Sequence, residues 1–295
     1  MDDQNPYALD RPQLRASFER AAATYDGAAG LQREIADRLL ERLDDVRFAP
    51  TVALDIGCGT GYCTRALRRR YSDVRVVGLD LAHAMLRRAN RRDWWRFFNR
   101  RPDFVCGDTE SLPVATASVD LIVSNLTLQW CNPIATFAEF RRVLRPGSLL
   151  MFTSFGPETL REVRLAWSAI DDRPHVHGFL DLRDVGDLLF ASGFTDPVVD
   201  VDRMTRHYPT VMDVLRELKQ IGAHNVALGR ARGLTGKQRF AHFRDTYEGM
   251  RSSQGIPVTY EIVFGHAWAP TADQAARRDD GIAAVPVSAI RRRRV

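Results

Sequence analysis

The chain has 295 residues, of which 45% are hydrophobic and 27% charged, and its formal net charge is +5. This composition excludes a disordered chain, and no stretch approaches the roughly 20 apolar residues of a membrane-spanning helix. The N-terminus carries four acidic residues and no apolar core of a secretion signal, so we expect a cytoplasmic protein. The four cysteines show no CxxC pairing and no zinc-finger histidines, so we expect reduced thiols and no metal site.

Residues 1–50 are predicted to form an N-terminal helical cap. Its second helix places Leu31, Ile35, Leu39 and Leu43 on one face, at intervals of four residues. From residue 51 the pattern changes to short β-rich runs that alternate with helical stretches, which is typical of βαβ units. We therefore predict an α/β fold with a doubly wound, seven-stranded and mostly parallel sheet. The predicted strands are residues 52–56, 74–80, 103–108, 119–125, 148–155, 196–208 and 259–268.

The predicted α/β core covers residues 51–209, and its last strand returns within 257–270. Between them, residues 210–256 are predicted to be a helical insertion. The remaining residues, 271–295, have little hydrophobic patterning and end in four consecutive arginines before Val295, so we predict a flexible Arg-rich tail.

The strongest motif is VALDIGCGTG, in which an apolar strand leads into Gly57, Gly59 and Gly61 and then a helix. Glycines suit this position because the turn visits positive φ and because a Cβ would hold a ligand away from the backbone. Asp80 lies 19 residues after Gly61, at the end of the next predicted strand, where a carboxylate can accept ribose hydroxyls. The alternative is that the glycines only form a turn.

The spacing differs from that of dinucleotide-binding proteins. The fingerprint G-x-G-x-x-G would place a glycine where this chain has Tyr62, and it serves to bind a pyrophosphate. Here Asp55 precedes the loop instead. A carboxylate at that position favours a cationic ligand over a pyrophosphate.

These motifs resemble those of the class I S-adenosylmethionine-dependent methyltransferases. The resemblance implies that S-adenosylmethionine is the cofactor and that the segment around 51–153 holds most of its site. The cofactor-binding residues so implied are Asp55, Gly57, Gly59, Gly61, Asp80, Leu81, Asp108, Thr109 and Asn125.

The rest of the chain is similar to the malonyl-acyl-carrier-protein O-methyltransferases of biotin synthesis. Segments 18–32, 154–164, 175–189, 218–225, 232–236 and 258–270 carry this resemblance. It implies methyl transfer to the free carboxylate of a malonyl thioester on an acidic carrier protein, with the 210–256 insertion as the lid over the acceptor. A carboxylate is already ionised near pH 7, so the reaction needs no general base.

Residues that contact the acceptor are expected outside the core. Tyr25 and His224 are candidates for positioning it, and each has an alternative role, Tyr25 in the core and His224 on a solvated face. The candidate substrate-binding residues are Gln129, Trp130, Lys219, Arg230 and Arg232, although the charged ones could lie on a solvated helix face and Trp130 could be packing. His175 and His177 could line the cleft or cap a turn. The basic segments 87–101 and 230–239 could form a rim that steers an acidic carrier.

Other functions remain open from the sequence. The aromatic and basic run WWRFFNRR, residues 94–101, suggests an RNA methyltransferase, although the modest net charge and the lack of an RNA-binding motif make a nucleic-acid partner unexpected. A methyltransferase for another small acid or a quinone would share the core and differ after residue 155. A methyltransferase-like assembly factor would keep the fold without the activity. We expect no membrane partner.

Overall fold

The computed structural model describes residues 8–92, 102–230, 233, 235–271 and 273–274. Within them lie seven strands, all near the positions predicted from the sequence: β1 (Val52–Ile56), β2 (Arg75–Asp80), β3 (Asp103–Cys106), β4 (Val119–Ser124), β5 (Leu144–Phe155), β6 (Thr195–Tyr208) and β7 (Ile256–Trp268). They form one sheet in the order β3-β2-β1-β4-β5-β7-β6. The first five positions in this order pair in parallel, and β7 pairs antiparallel with both β5 and β6. The predicted doubly wound, mostly parallel α/β fold is therefore confirmed.

The helices cover both faces of this sheet. They are α1 (Arg11–Ala21), α2 (Tyr25–Ala28), α3 (Gly30–Glu41), α4 (Tyr62–Arg70), α5 (His83–Arg92), α6 (Pro133–Val143), α7 (Arg161–Ser168), α8 (Leu182–Ala191), α9 (Val211–Gln220) and α10 (Lys237–Glu248). Short 3-10 turns follow at Arg42–Asp45 and Leu128–Trp130. Among the described residues, none of these helices is long and apolar enough to cross a bilayer. The helical stretches expected before β7 are present as α9 and α10.

Two apolar clusters fill the space between the sheet and its helices. On one face, α3 packs through Leu31, Ile35 and Leu39, each at most 2% exposed, as its sequence periodicity predicted. The other face holds a cluster of phenylalanine rings, in which Phe137 lies within 5.6 Å of Phe152, centroid to centroid. The strands between them are buried on both faces, which explains why their sequences are apolar at consecutive positions.

Two strands start well before their predicted positions, and one short helix was not predicted. Strand β5 starts at Leu144 and not at residue 148, because Leu144 pairs with Val119 before the register shifts. Strand β7 starts at Ile256, and β6 pairs with it along nearly its whole length, so both form a long antiparallel ribbon. The short helix α2 was not predicted, since four residues carry no periodic signal.

The topology places one crevice above the sheet. Strands β1 and β4 are neighbours, but the chain leaves them in opposite directions, toward β2 and toward β5. In open α/β sheets a ligand binds where the strand order reverses, outside the carboxyl ends of the strands. The loops after β1, β2 and β4 all lie at this end of the sheet.

The N-terminal helices and the α9 region close over this crevice together. Asp10 donates its backbone N–H to Val226 O at 2.8 Å, and Thr24 Oγ1 donates to Gln220 O at 2.8 Å. Gly222 has φ of +82°, and a Cβ there would come within 3.0 Å of the Phe18 ring. The cap is therefore packed directly on the segment that follows α9.

Candidate active site

The glycine loop after β1 is held in a conformation that only glycine adopts without strain. Gly57, Gly59 and Gly61 have φ of +68°, +53° and +80°. A Cβ at Gly57 would lie 2.0 Å from Thr127 Oγ1, and one at Gly59 would point toward the Tyr25 ring at 3.8 Å. Thr127 thus fills the space that a side chain at Gly57 would need, and the backbone of both Gly57 and Gly59 lines the crevice.

Asp80 braces this loop from the end of β2. One carboxylate oxygen accepts the Gly59 N–H and the other accepts the Ala82 N–H, both at 2.8 Å. Burial raises the pKa of Asp80 to about 6, although these two hydrogen bonds oppose the shift. Each oxygen keeps a second lone pair, so the carboxylate that shapes the loop can also accept a hydroxyl from a ligand.

Asp55 lies beneath the loop, with 1% of its surface exposed. Its Oδ2 accepts a hydrogen bond from Thr64 Oγ1 at 2.5 Å, which connects β1 to α4. Burial raises the pKa of Asp55 to about 7, against the opposing hydrogen bonds of Thr64. Asp55 and Gly61 do not form part of the crevice wall, and Gly61 serves as the left-handed N-cap of α4.

Asp108 follows β3 in the crevice wall and is joined to the N-terminal cap. Arg11 Nη2 donates to Asp108 Oδ1 at 2.5 Å, and Arg11 Nη1 pairs with Glu110. The guanidinium holds the pKa of Asp108 below its ordinary value, despite partial burial. These pairs latch helix α1 onto the loop after β3.

Asn125 follows β4 and is fixed by both ends of its amide. Its Nδ2 donates to Gln32 O at 3.0 Å, and its Oδ1 accepts from Thr153 Oγ1 at 2.8 Å. The side chain therefore ties α3 to the core strands at the floor of the crevice.

The crevice is an open cavity with about 850 Å³ free of protein atoms, a volume that includes the solvent space at its mouth. Its wall combines apolar side chains from the cap and α5 with acidic and amide groups from the strand ends. The apolar part includes Leu14, Phe18, Leu81 and Met85, and the polar part includes Asp80, Asp108, Thr109 and Asn125. Such a wall fits a ligand that joins an aromatic ring, vicinal hydroxyls and a positive charge.

A second cavity, with about 1090 Å³ of free space, adjoins the first beneath α9. The two share Gln32, Trp130, Phe155, Ile221 and Ala223. The second wall is mostly aromatic and apolar, and Lys219 and His224 complete it. Burial, with Arg20 and Lys219 nearby, lowers the pKa of His224, so this imidazole is neutral near pH 7. Because the two cavities share part of their walls, a small ligand in the second cavity can reach a ligand in the first.

The predicted positioning residue Tyr25 lines the first cavity, and burial raises its phenol pKa far above neutrality. Trp130 lies on the shared wall. Gln129 also lines the first cavity, but its amide Nε2 is already bonded to Leu126 O at 2.7 Å. Of the basic candidates, Lys219 reaches the second cavity, as His224 does.

The remaining basic candidates are Arg230 and Arg232. Arg230 pairs with Asp10 at 2.8 Å and forms part of neither cavity wall. It anchors the start of α1 to the segment after α9. Arg232, the aromatic run 94–101 and most of the Arg-rich tail lie outside the described residues, so these expectations stay predictions from the sequence.

The sequence does not predict the roles of three residues of this site, Arg11, Gln32 and His177. Arg11 and Gln32 gave no signal, because a lone arginine or glutamine on an amphipathic helix has many possible roles. For His177 the sequence allows two positions, lining the cleft or capping a turn, and the structure places its ring in the wall of the second cavity. The contacts of all three come from segments distant in sequence, which no local pattern reveals.

A family model described as a methyltransferase domain matches residues 54–152. A malonyl-[acyl-carrier protein] O-methyltransferase from Laribacter hongkongensis is 49% identical over 93% of this chain and 95% of its own. Another from Halorhodospira halophila is 45% identical over the whole of both chains. The similarity thus extends through the cap and the insertion as well as the core.

Solved structures share the fold at low sequence identity. The YcgJ protein from Bacillus subtilis aligns with a TM-score of 0.57 and 16% identity, over 79% of this chain and 98% of its own. Phosphoethanolamine N-methyltransferase 2 from Haemonchus contortus, solved with S-adenosylhomocysteine, aligns with a TM-score of 0.55 and 18% identity, over 86% of this chain and 58% of its own. At this level of sequence identity the similarity shows a shared fold only.

Proposed function

The chain belongs to the family of malonyl-[acyl-carrier protein] O-methyltransferases, and from this premise we propose that it methylates the free carboxylate of a malonyl thioester on an acyl-carrier protein. The product is the methyl ester of that thioester. The observation that carries the proposal is the adjacency of the two cavities, since one is polar enough for a nucleotide-like cofactor and the other apolar enough for an acyl thioester.

S-adenosylmethionine is the cofactor, and when bound it supplies an electrophilic methyl group on a sulfonium. The Asp80 carboxylate would accept the ribose hydroxyls, and Asp108 with Thr109 would lie at the adenine end. Gly57 and Gly59 present backbone rather than side chain to the ligand. The acids on this wall complement a cationic ligand. Among the described residues of the wall the cationic side chain is Arg11, and its pairing with Asp108 and Glu110 leaves it poorly placed for a pyrophosphate.

The acceptor arrives as a nucleophile, because a malonyl carboxylate is ionised at neutral pH. The chain therefore has to align the reactants and exclude water, and needs no base. Tyr25 fits this role. Its buried phenol keeps its proton at neutral pH and can donate a hydrogen bond, but cannot remove a proton.

We place the reacting carboxylate at the junction of the cavities, beside Gln32. The Oε1 of Gln32 is buried and has no hydrogen-bond partner among the described residues. An amide can turn to present N–H to a carboxylate without neutralising it, whereas a bidentate arginine would occupy both nucleophilic oxygens. Trp130 closes the same junction with its indole.

The entrance beyond this junction is basic. Lys219 lies in the last turn of α9, near Arg20 at the end of α1, and both are exposed. An acidic carrier would be steered by these charges, which act on association more than on the reaction itself. The double variant Arg20→Glu with Lys219→Glu should raise KM for carrier-bound malonate and leave cofactor affinity unchanged.

The proposal is tested by incubating the protein with S-adenosylmethionine and either malonyl-carrier or acetyl-carrier protein. Mass spectrometry should show one added methyl group on the malonyl form alone. Equal methylation of both carriers, or of neither, would exclude this function. Methylation of a free small acid, a quinone or RNA in parallel incubations would then support one of the other methyltransferase activities.

A further inference from the structure

Besides Gln32, the wall of the second cavity contains another buried polar group without a partner among the described residues, the imidazole of His177. His177 is 5% exposed, and its ring lies between Trp130 and Phe179, with centroid distances of 4.7 Å to each. Its Nε2 has no hydrogen-bond partner among the described residues. Buried polar atoms are nearly always paired, and leaving one unpaired is costly. A phenylalanine would fill the same space without this cost.

The imidazole is held in one protonation state and one orientation. The ring has a backbone hydrogen bond with Gln129, and because Nε2 has no partner we assign the donating N–H to the other ring nitrogen, which leaves Nε2 as an acceptor. Burial lowers the pKa of His177 to about 4, and the nearby Arg164 cation acts in the same direction. Near pH 7 the cavity therefore presents a fixed, neutral nitrogen lone pair.

The malonyl group cannot satisfy this lone pair. Its carboxylate and its thioester carbonyl offer only hydrogen-bond acceptors. The pantetheine arm that carries the malonyl group is different, because it contains secondary amides with N–H donors. The wall around His177 suits such an arm, since it is formed by rings such as Phe155, Phe179 and Tyr260.

We propose that the second cavity is a subsite for the pantetheine arm, in which His177 Nε2 accepts a hydrogen bond from an arm amide. This inference rests on the proposed function, because it takes the acceptor to be a pantetheine thioester. His177 is then a specificity-determining residue. It favours thioesters whose arm carries an amide at the matching distance, and it does not touch the reacting atoms.

The test compares two thioesters of malonate that differ at one position. The first carries N-acetylcysteamine, which reproduces the end of the arm with its amide N–H. The second carries 2-acetoxyethanethiol, in which an ester oxygen replaces that N–H. The wild-type protein should use the amide thioester about tenfold better in kcat/KM, because a site built for an N–H rejects the analogue that lacks it. If a thioester turns over too slowly, its inhibition of the carrier reaction gives the same comparison.

The variants His177→Phe and His177→Gln complete the experiment. His177→Phe should lose the preference for the amide thioester, because its kcat/KM for the amide thioester falls toward its value for the ester thioester. His177→Gln, whose amide places an acceptor near the position of Nε2, should recover part of the preference. Cofactor affinity and thermal unfolding of each variant report whether it is folded.

Three results would overturn the inference. The first is a wild-type protein that does not distinguish the two thioesters, a comparison that holds even if no variant folds. The second is an equal loss on both thioesters in His177→Phe, which would assign the ring to packing or to the carboxylate. The third is a His177→Phe protein that keeps both the preference and the wild-type kcat/KM for the amide thioester. Absence of methylation on either thioester and on malonyl-carrier protein would instead remove the proposed function itself.

Discussion

Replacing Gly57 by alanine should lower the free energy of unfolding and weaken cofactor binding, because the new side chain would displace Thr127. The new Cβ would lie 2.0 Å from Thr127 Oγ1 and 2.5 Å from its Cγ2, so the threonine has to move. That hydroxyl donates to Ile56 O at 3.2 Å and would lose this bond. The substitution therefore perturbs the junction between the loops after β1 and β4.

The cost follows from two terms. A φ of +68° disfavours alanine by roughly 1–2 kcal/mol, since its Cβ approaches the carbonyl oxygen. Overpacking at a buried site typically adds about 1–3 kcal/mol. We therefore expect Gly57→Ala to lower the free energy of unfolding by about 2–5 kcal/mol, and to weaken cofactor binding because the loop shifts.

Urea unfolding measures the first effect, and calorimetric titration with the cofactor measures the second. Gly186→Ala is the matched control. Gly186 lies inside α8, and a Cβ there meets nothing within 4 Å, so this variant should gain up to about 1 kcal/mol. Adding Thr127→Ala to Gly57→Ala should restore part of the loss, since the atoms at 2.0 and 2.5 Å are removed. A Gly57→Ala protein as stable as the wild type would refute this reasoning.

Three further predictions concern the same crevice. Gly59→Ala should weaken cofactor binding at least tenfold by calorimetry, with a stability loss of only about 1–2 kcal/mol, because its Cβ would enter the ligand space toward Tyr25 without a clash. Arg11→Met should speed cofactor dissociation several-fold in stopped-flow displacement, since the latch to Asp108 is lost; an unchanged rate would contradict it. The third prediction concerns the pKa of Asp55, which is about 7 in the folded protein and near its ordinary 3.8 in the unfolded chain. Between these pH values the folded state keeps a proton that the unfolded state has released. The contribution of Asp55 to the free energy of unfolding therefore falls as pH rises from about 4 to about 7. Asp55→Asn should flatten that decline in urea titrations at pH 5 and 8, and an equally steep decline would contradict the assignment.

The sheet and its order of elements could be predicted because each strand has a local signature. Apolar runs of strand length, such as Val52–Ile56, lie between helical stretches, and this alternation alone implies a parallel sheet. The glycine loop was predicted for a related reason. Positive φ is a property of single residues, and the acid that braces the loop ends the next strand at a recognisable distance.

The acceptor side could not be predicted to the same depth. Arg230 has the composition of an anion-binding residue, yet its partner is Asp10, 220 positions earlier. The surroundings of His177 depend on Gln129 and Trp130, which lie 48 and 47 positions earlier in the chain. The roles of such side chains depend on which distant segments contact each other in the fold, and the local pattern of a single sequence does not show those contacts.

The contact between the N-terminal cap and the segment after α9 also bears on how the chain is made. Asp10 and Thr24 emerge early from a ribosome, but their partners Val226 and Gln220 follow about 200 residues later. During synthesis the parallel strands can pair while helix α1 still lacks the surface on which it packs. The cofactor crevice can therefore close only after residue 226 has emerged, and a chain that stops before residue 220 would display it open, with the apolar face of α1 available to chaperones.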